Sequence, residues 1–294
     1  MRRSIAAVAT AVAVAFPDGT TLPGTSSESA HHGLNVGGQT SGGRDQHRRF
    51  VDRHGLVLSR ELLYLIYWGH AWTQPGTTPT ADQVTRAVST VMASVYMTGL
   101  AQYRGVGRGE VRASQVLASS DPPSGFTDDQ VGQFVHDQIA AGTIAGPDAG
   151  NQTVYGVVMP PGVKPDHAEG EHNTYSSHGQ KIHYAWFANA GSVHALTGIM
   201  SHEIVEAATD PEGDGFLGVD GTCSQEGWCE IADVCSSASV VDGVAVRSYW
   251  SDEAGKCIIP TASVPPKSAP AAHNGQVRPV EERQRTSDHV THGR

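Results

Sequence analysis

The sequence predicts an α/β or α+β fold: a mixed β-sheet packed with three main helices, followed by a disulfide-stapled C-terminal region. Three observations predict it. Short continuous apolar runs, Leu62–Trp68 foremost, read as buried strands and alternate along the chain with helical periodicities. Two capping boxes, Thr80–Ala81–Asp82–Gln83 and Thr127–Asp128–Asp129–Gln130, mark helix starts. All four cysteines, Cys223, Cys229, Cys235 and Cys257, fall after the last helical pattern.

The elements follow in order. Met1–Arg2–Arg3, the apolar stretch Ile5 to Phe16 and the small residues Ala13–Val14–Ala15 are expected to be a signal peptide over 1–15. Residues 16–56, rich in Gly, Ser, Thr, His and Arg, read as a disordered linker or propeptide. The folded domain is expected over 57–260. Within it, Leu62–Trp68 is a strand that ends at Gly69. Val84, Val88, Val91, Met92 and Val95 keep helical spacing, which predicts a helix from the first capping box to about Tyr103. Val111 to Leu117 is a strand. The second capping box opens a helix with Val131, Phe134, Val135 and Ile139 as its apolar stripe, and Phe126 and Val131 are placed as a hydrophobic staple. Thr153 to Met159 is a strand stopped by Pro160–Pro161. A polar loop bearing His167, His172 and His178 comes next. Ile182 to Ala188 alternates, with Ile182, Tyr184 and Trp186 on one face. A last helix stops near Thr209, because Asp210 precedes Pro211. Val246 to Trp250 and Cys257 to Ile259 close the domain. Residues 261–294 are expected to be a disordered tail.

Composition excludes some functions. The formal charge is −10, and only 4 of the 20 basic residues are lysine. With no basic run, nucleic acid is not an expected partner, since the phosphate term needs clustered cations. No apolar run reaches the ~18–20 residues that span a bilayer, so no membrane span is expected after signal cleavage. In an exported chain the four cysteines suit two disulfides, with three connectivities open. They lack the paired C-x-x-C knuckles of a zinc site.

The chemistry concentrates in Gly198–Pro211. On a helix, His202 and Glu206 lie one above the other, four residues apart, with Glu203 a fraction of a turn away. Leu196, Met200 and Ile204 form the stripe that faces the core. The pattern is H-E-x-x-E. It departs from the zinc-binding H-E-x-x-H, because a carboxylate replaces the second imidazole. A divalent metal is the expected cofactor, zinc first. The harder carboxylate ligand leaves room for a harder ion. The plain alternative is an amphipathic helix whose charges face water.

Five segments in order look like the phosphate-induced protein 1 / exordium-like family, in its bacterial secreted branch. They are Tyr64–Gly69; Ser177–His178–Gly179 with Tyr184–Ala185–Trp186; Ser201–Pro211; Glu230–Cys235; and Tyr249–Trp250–Ser251 before Cys257. The resemblance covers roughly 57–260. It implies a secreted, extracellular protein with a cell-wall or other surface association. Bacterial relatives with this helix resemble zinc metallopeptidases.

That resemblance suggests a ligand set. Glu230, 24 residues beyond Glu206, stands at a spacing similar to that of the third ligand in gluzincin-type peptidases. His202, Glu206 and Glu230 would then bind the metal, with Asp210 and His178 as alternatives for the third position. Asp233 would hold the other ring nitrogen of His202. Glu203 would be the general base, and His178 would stabilise an oxyanion or protonate the leaving group. A second feature, Asp210–Pro211–Glu212–Gly213–Asp214–Gly215, resembles the opening of a calcium loop, with Asp220 near its end. A solvated acidic turn is the preferred reading of these residues.

The expected function is a secreted metal-dependent hydrolase, peptidase-like, acting through a metal-activated water with a peptide or cell-wall substrate. Peptidase is preferred to esterase or amidase by analogy. The competing expectation is a non-catalytic extracellular or cell-wall binding module with a structural metal or calcium.

Overall fold

The computed structural model describes residues 50–165, 168–219 and 229–261. Its frame is a five-stranded sheet in the order β3-β2-β4-β6-β5. The strands are β2 (Leu62–Trp68), β3 (Glu110–Leu117), β4 (Thr153–Pro161), β5 (Gly170–Ser177) and β6 (Gln180–Asn189). β3, β2, β4 and β6 run parallel, and β5 pairs antiparallel with β6 at the edge. The three helices are α1 (Ala81–Ala93), α2 (Asp128–Ala140) and α3 (Val193–Thr209). This is the expected mixed sheet with three main helices.

Both faces of the sheet are covered, which is why β2 is apolar throughout rather than alternating. Leu63, Leu65 and Tyr67 pack beneath α1 and α3, with Val84, Val88, Leu196, Met200 and Ile204. Ile66 and Trp68 face the other way and pack with Val131 and Val135 of α2. Ile182, Tyr184 and Trp186 of β6 join the α2 side, as their alternation predicts. There the Trp186 indole N–H donates to Asp128 Oδ1 at 2.6 Å, so the buried carboxylate at the start of α2 is satisfied.

Four expectations change. First, the fold reaches back to Phe50: β1 (Phe50–Asp52) pairs antiparallel with β7 (Phe216–Gly218). Second, α1 stops at Ala93. Ser94 turns extended and its hydroxyl accepts the Tyr96 N–H at 3.2 Å, which starts a separate 3₁₀ segment, Val95–Gln102. Third, part of the polar His-rich loop is β5. His178 and Gly179 both take positive φ, 50° and 81°, and form a two-residue hairpin turn into β6. His167 lies outside the described residues. Fourth, the closing segment divides at Ser248 into β9 (Val244–Arg247) and β10 (Tyr249–Ser251). β8 (Ala238–Val241) pairs with β9, and β11 (Lys256–Ile258) pairs with β10.

The C-terminal strands brace α3. The Tyr96 hydroxyl reaches the Arg247 carbonyl at 2.8 Å, and the Arg247 N–H donates to the Ser201 hydroxyl at 3.0 Å. Cys235 and Cys257 form a disulfide, and Cys229 is disulfide-bonded as well. Cys223 lies outside the described residues, as do the expected signal peptide and residues 262–294.

At α1 the capping box is complete. Thr80 accepts the Gln83 N–H at 3.2 Å, and Gln83 Oε1 accepts the Thr80 N–H at 2.9 Å. Thr80→Ala removes one half and leaves an orphaned donor at a helix that packs on α3. We expect a loss of about 1 kcal/mol of unfolding free energy, measured by urea titration.

Candidate metal centre

α3 is buried along every residue from Leu196 to Thr209. The apolar stripe faces the core as expected, but the opposite face does not meet water. Its His202, Glu203 and Glu206 face β5 and the turn at Glu230–Val234. That arrangement gathers Glu61, His172, His202, Glu203, Glu206 and Glu230, none more than 4% exposed.

Each side chain has a positional reason. β5 has period 2, so Gly170, His172 and Thr174 face α3. Gly170 lets the strand come close: a Cβ there would stand 2.7 Å from Ile199 Cγ2 and 3.2 Å from Glu203 Oε1. His172 Nδ1 then lies 3.4 Å from Glu203 Oε2. Its Nε2 lies 3.3 Å from both Glu230 Oε1 and the Asp210 carbonyl. One turn along α3, His202 Nε2 lies 3.1 Å from Glu206 Oε2 and 3.5 Å from Asp233 Oδ1. Glu206 Oε1 accepts the Ala232 N–H at 3.2 Å, and Asp233 Oδ2 accepts the Glu230 N–H at 3.0 Å. The turn is therefore locked onto the helix through its own backbone.

Two groups of ligand atoms result, each drawn together within 4.8 Å: His202–Glu206–Asp233 and His172–Glu203–Glu206. The separations suit a metal. Ligands held about 2.0–2.1 Å from a tetrahedral ion stand about 3.3 Å from one another.

Charge argues the same way. Glu61, Glu203, Glu206 and Asp233 bring four carboxylates, with Glu230 against His172 as a fifth. Among the described residues, the cations paired with them are the two imidazoles. No lysine or arginine of the described residues pairs with Glu61, Glu203 or Glu206. Two unit charges 4.8 Å apart repel by about 3.5 kcal/mol at an effective dielectric constant near 20. Burial, with Asp233 and Glu230 nearby, pushes the Glu206 carboxyl well above its usual range against the pull of His202. Burial pushes Glu61 up to about 8, opposed by the His172 charge. Burial depresses both histidines, yet Glu230 and Glu203 at His172, and Glu206 and Asp233 at His202, outweigh it and raise them well above 6.5. Such tension is what a divalent cation would relieve.

The sequence-derived assignments sort as follows. His202, Glu203 and Glu206 come together. Asp233 approaches the same ring nitrogen as Glu206, so it stands as a candidate ligand rather than orienting the other nitrogen; His202 Nδ1 is buried without a hydrogen-bond partner among the described residues. Glu230 lies against His172 instead of His202. His178 is not at the centre. It is exposed at the hairpin tip, six residues beyond His172, roughly 20 Å along the strand.

Of the calcium-loop acids, the described ones, Asp210, Glu212 and Asp214, belong to neither ligand group. Asp210 is buried and its Oδ1 accepts the Gly215 N–H at 2.7 Å. Glu212 pairs with Lys181 and, at 3.1 Å, with His183. Asp214 is exposed, and Asp220 lies outside the described residues. Glu61 and His172 were missed by sequence reasoning. The available signal for His172 was the spacing Gly170, His172, Thr174 ahead of the His178–Gly179 turn. For Glu61 it was a lone acid abutting a buried strand.

Compared with protein families, curated proteins and solved structures, the chain matches none. The chemistry of the centre therefore rests on its own geometry.

Glu212 offers a pH test beside the centre. The hydrogen bond from His183, with help from Lys181, holds its carboxyl down to about 2 despite partial burial. The folded value lies below the unfolded one near 4.5. Its stabilisation is therefore present above pH 4.5 and lost as pH falls toward 2. Glu212→Gln should be less stable than wild type at pH 7, and the gap should close between about pH 4.5 and 2, read by thermal unfolding across pH.

Proposed function

We propose that the protein is an exported, divalent-metal-dependent hydrolase with peptidase-like chemistry. One observation carries the reading: His202 Nε2, Glu206 Oε2 and Asp233 Oδ1 converge at metal-ligand spacing, with Glu203 next to them on the same helix. A mixed nitrogen and oxygen set of this size suits zinc. When bound, the ion would polarise a carbonyl and acidify a water.

The chain's own residues supply the rest. Glu203 Oε1 has no hydrogen-bond partner among the described residues, so it is free to take a proton from the attacking water as general base. His172, 3.4 Å from Glu203 Oε2, orients that carboxylate. Asp233 marks the approach: its side chain is 29% exposed, against 5% and 2% for His202 and Glu206. A peptide or cell-wall substrate would enter on that side.

Export is supported by the n-region and apolar run at Met1–Phe16 and by the Cys235–Cys257 disulfide, which belongs to an oxidising compartment. The exordium-like segments point to the same setting.

One observation favours the second reading, a non-catalytic extracellular module holding a structural ion. Glu203 and His172 are only 1% and 2% exposed, which suits an enclosed ion better than a substrate.

Two variants separate the readings. His202→Ala should lose at least one equivalent of zinc or another transition metal, counted by inductively coupled plasma mass spectrometry. Glu203→Gln should keep that metal and cut hydrolysis of a peptide library by about 10²-fold or more. If Glu203→Gln hydrolyses as fast as wild type, the hydrolase reading fails. If chelation unfolds the protein and neither form hydrolyses anything, the structural ion stands.

A further inference from the structure

The His172 side of the cluster is not used as a ligand set by a single ion at His202. It is nonetheless built like one. We infer that the centre holds two divalent ions, with Glu206 as the shared carboxylate between them, and that His172, Glu203 and Glu61 hold the second. This rests on the reading that α3 binds metal.

Three observations carry it. Glu206 belongs to both ligand groups, so one carboxylate is within reach of His202 and Asp233 on one side and of His172 and Glu203 on the other. A carboxylate shared in this way is the usual link in two-metal sites, where the ions lie about 3.5–4 Å apart. Independently, Glu61 is fully buried on the face of β2 that carries Leu63 and Leu65, and neither of its oxygens has a hydrogen-bond partner. Within the second group itself, Glu203 Oε1 is likewise buried with no hydrogen-bond partner among the described residues. Formal charge is the third observation. With the imidazoles neutral as ligands, Glu61, Glu203, Glu206, Glu230 and Asp233 carry five negative charges. One divalent ion offsets two of them, and two ions offset four.

The second set is richer in carboxylate than the first. It therefore suits a harder ion, of the manganese class, beside zinc at His202. Glu203 would offer Oε2 to that ion, on the His172 side, and keep Oε1 for proton transfer.

The test is metal stoichiometry on the full chain, loaded with zinc and with manganese, cleared of excess metal by gel filtration and counted by mass spectrometry. Wild type should hold two equivalents. Asp233→Asn should hold one, in the His172 group. His172→Ala should hold one, in the His202 group. Glu61→Gln changes neither volume nor the two groups' geometry. It should keep the fold by circular dichroism and weaken the second equivalent at least tenfold. Manganese-loaded wild type should also show a spin-coupled paramagnetic resonance spectrum that is lost in Glu61→Gln. One equivalent in wild type, lost in Asp233→Asn and kept in both His172→Ala and Glu61→Gln, overturns the second ion and leaves the hydrolase reading intact. One equivalent kept in Asp233→Asn and lost in His172→Ala overturns the shared centre and the His202 ligand set together. No metal in wild type overturns both proposals.

Discussion

A helix buried on all sides that carries a histidine and two glutamates imposes the main constraint on this fold. Placing one unpaired charge in an apolar interior costs several kcal/mol, so partners must be brought to α3 from elsewhere in the chain. Three separate segments do this. β5 brings His172, the chain entering β2 brings Glu61, and the turn after Cys229 brings Glu230 and Asp233. Much of the irregular structure follows from that need. Gly170 removes the side chain that would collide with Glu203, and the Glu230–Val234 turn ties its backbone to Glu206 and Asp233 instead of forming a regular element.

The location of the centre is unusual for the topology. In open α/β sheets with helices on both faces, ligands commonly bind beyond the carboxyl ends of the parallel strands. Here α3 starts after the carboxyl end of β6 and runs back beneath the sheet, where the Leu58 N–H caps it by donating to the Ala208 carbonyl at 2.8 Å. The chemistry-bearing half of α3 therefore lies toward the amino end of β2, next to Glu61. The antiparallel edge strand makes this possible. β5 is joined to β6 by a two-residue turn rather than a crossover, so no helix covers its inner face and α3 can take that place.

Strands and helices with strong periodicity were legible in the sequence. Leu62–Trp68 and Ile182–Ala188 show their burial directly, and the two capping boxes place the starts of α1 and α2 to the residue. β5 was not legible, because its inward residues are Gly170, His172 and Thr174. A strand facing a polar centre loses the apolar alternation by which strands are recognised. The end of α1 was hidden for a related reason. Val95 continues the apolar period, but the Ser94 hydroxyl offers the backbone a local partner that ends the helix. For the site, H-E-x-x-E located α3 and its three cluster residues, His202, Glu203 and Glu206. It could not reveal which distant acids close on which ring nitrogen, because Glu230 and Asp233 are only three residues apart and a turn sends them to different histidines.

That divergence bears on how the centre distinguishes its two halves. Were residues 230–233 helical, both acids would project from one face, toward one imidazole. The turn instead places Glu230 over His172 and Asp233 over His202, while Asp233 Oδ2 fixes the Glu230 N–H. The two carboxylates are thus mechanically linked although they serve different nitrogens. The Cys235–Cys257 disulfide, directly after this turn, anchors it to β11. Losing the bridge would then act on the candidate metal centre through the position of Asp233, the acid at its solvent-facing edge. A region with little apolar sequence of its own thereby gains rigidity beside the acidic cluster.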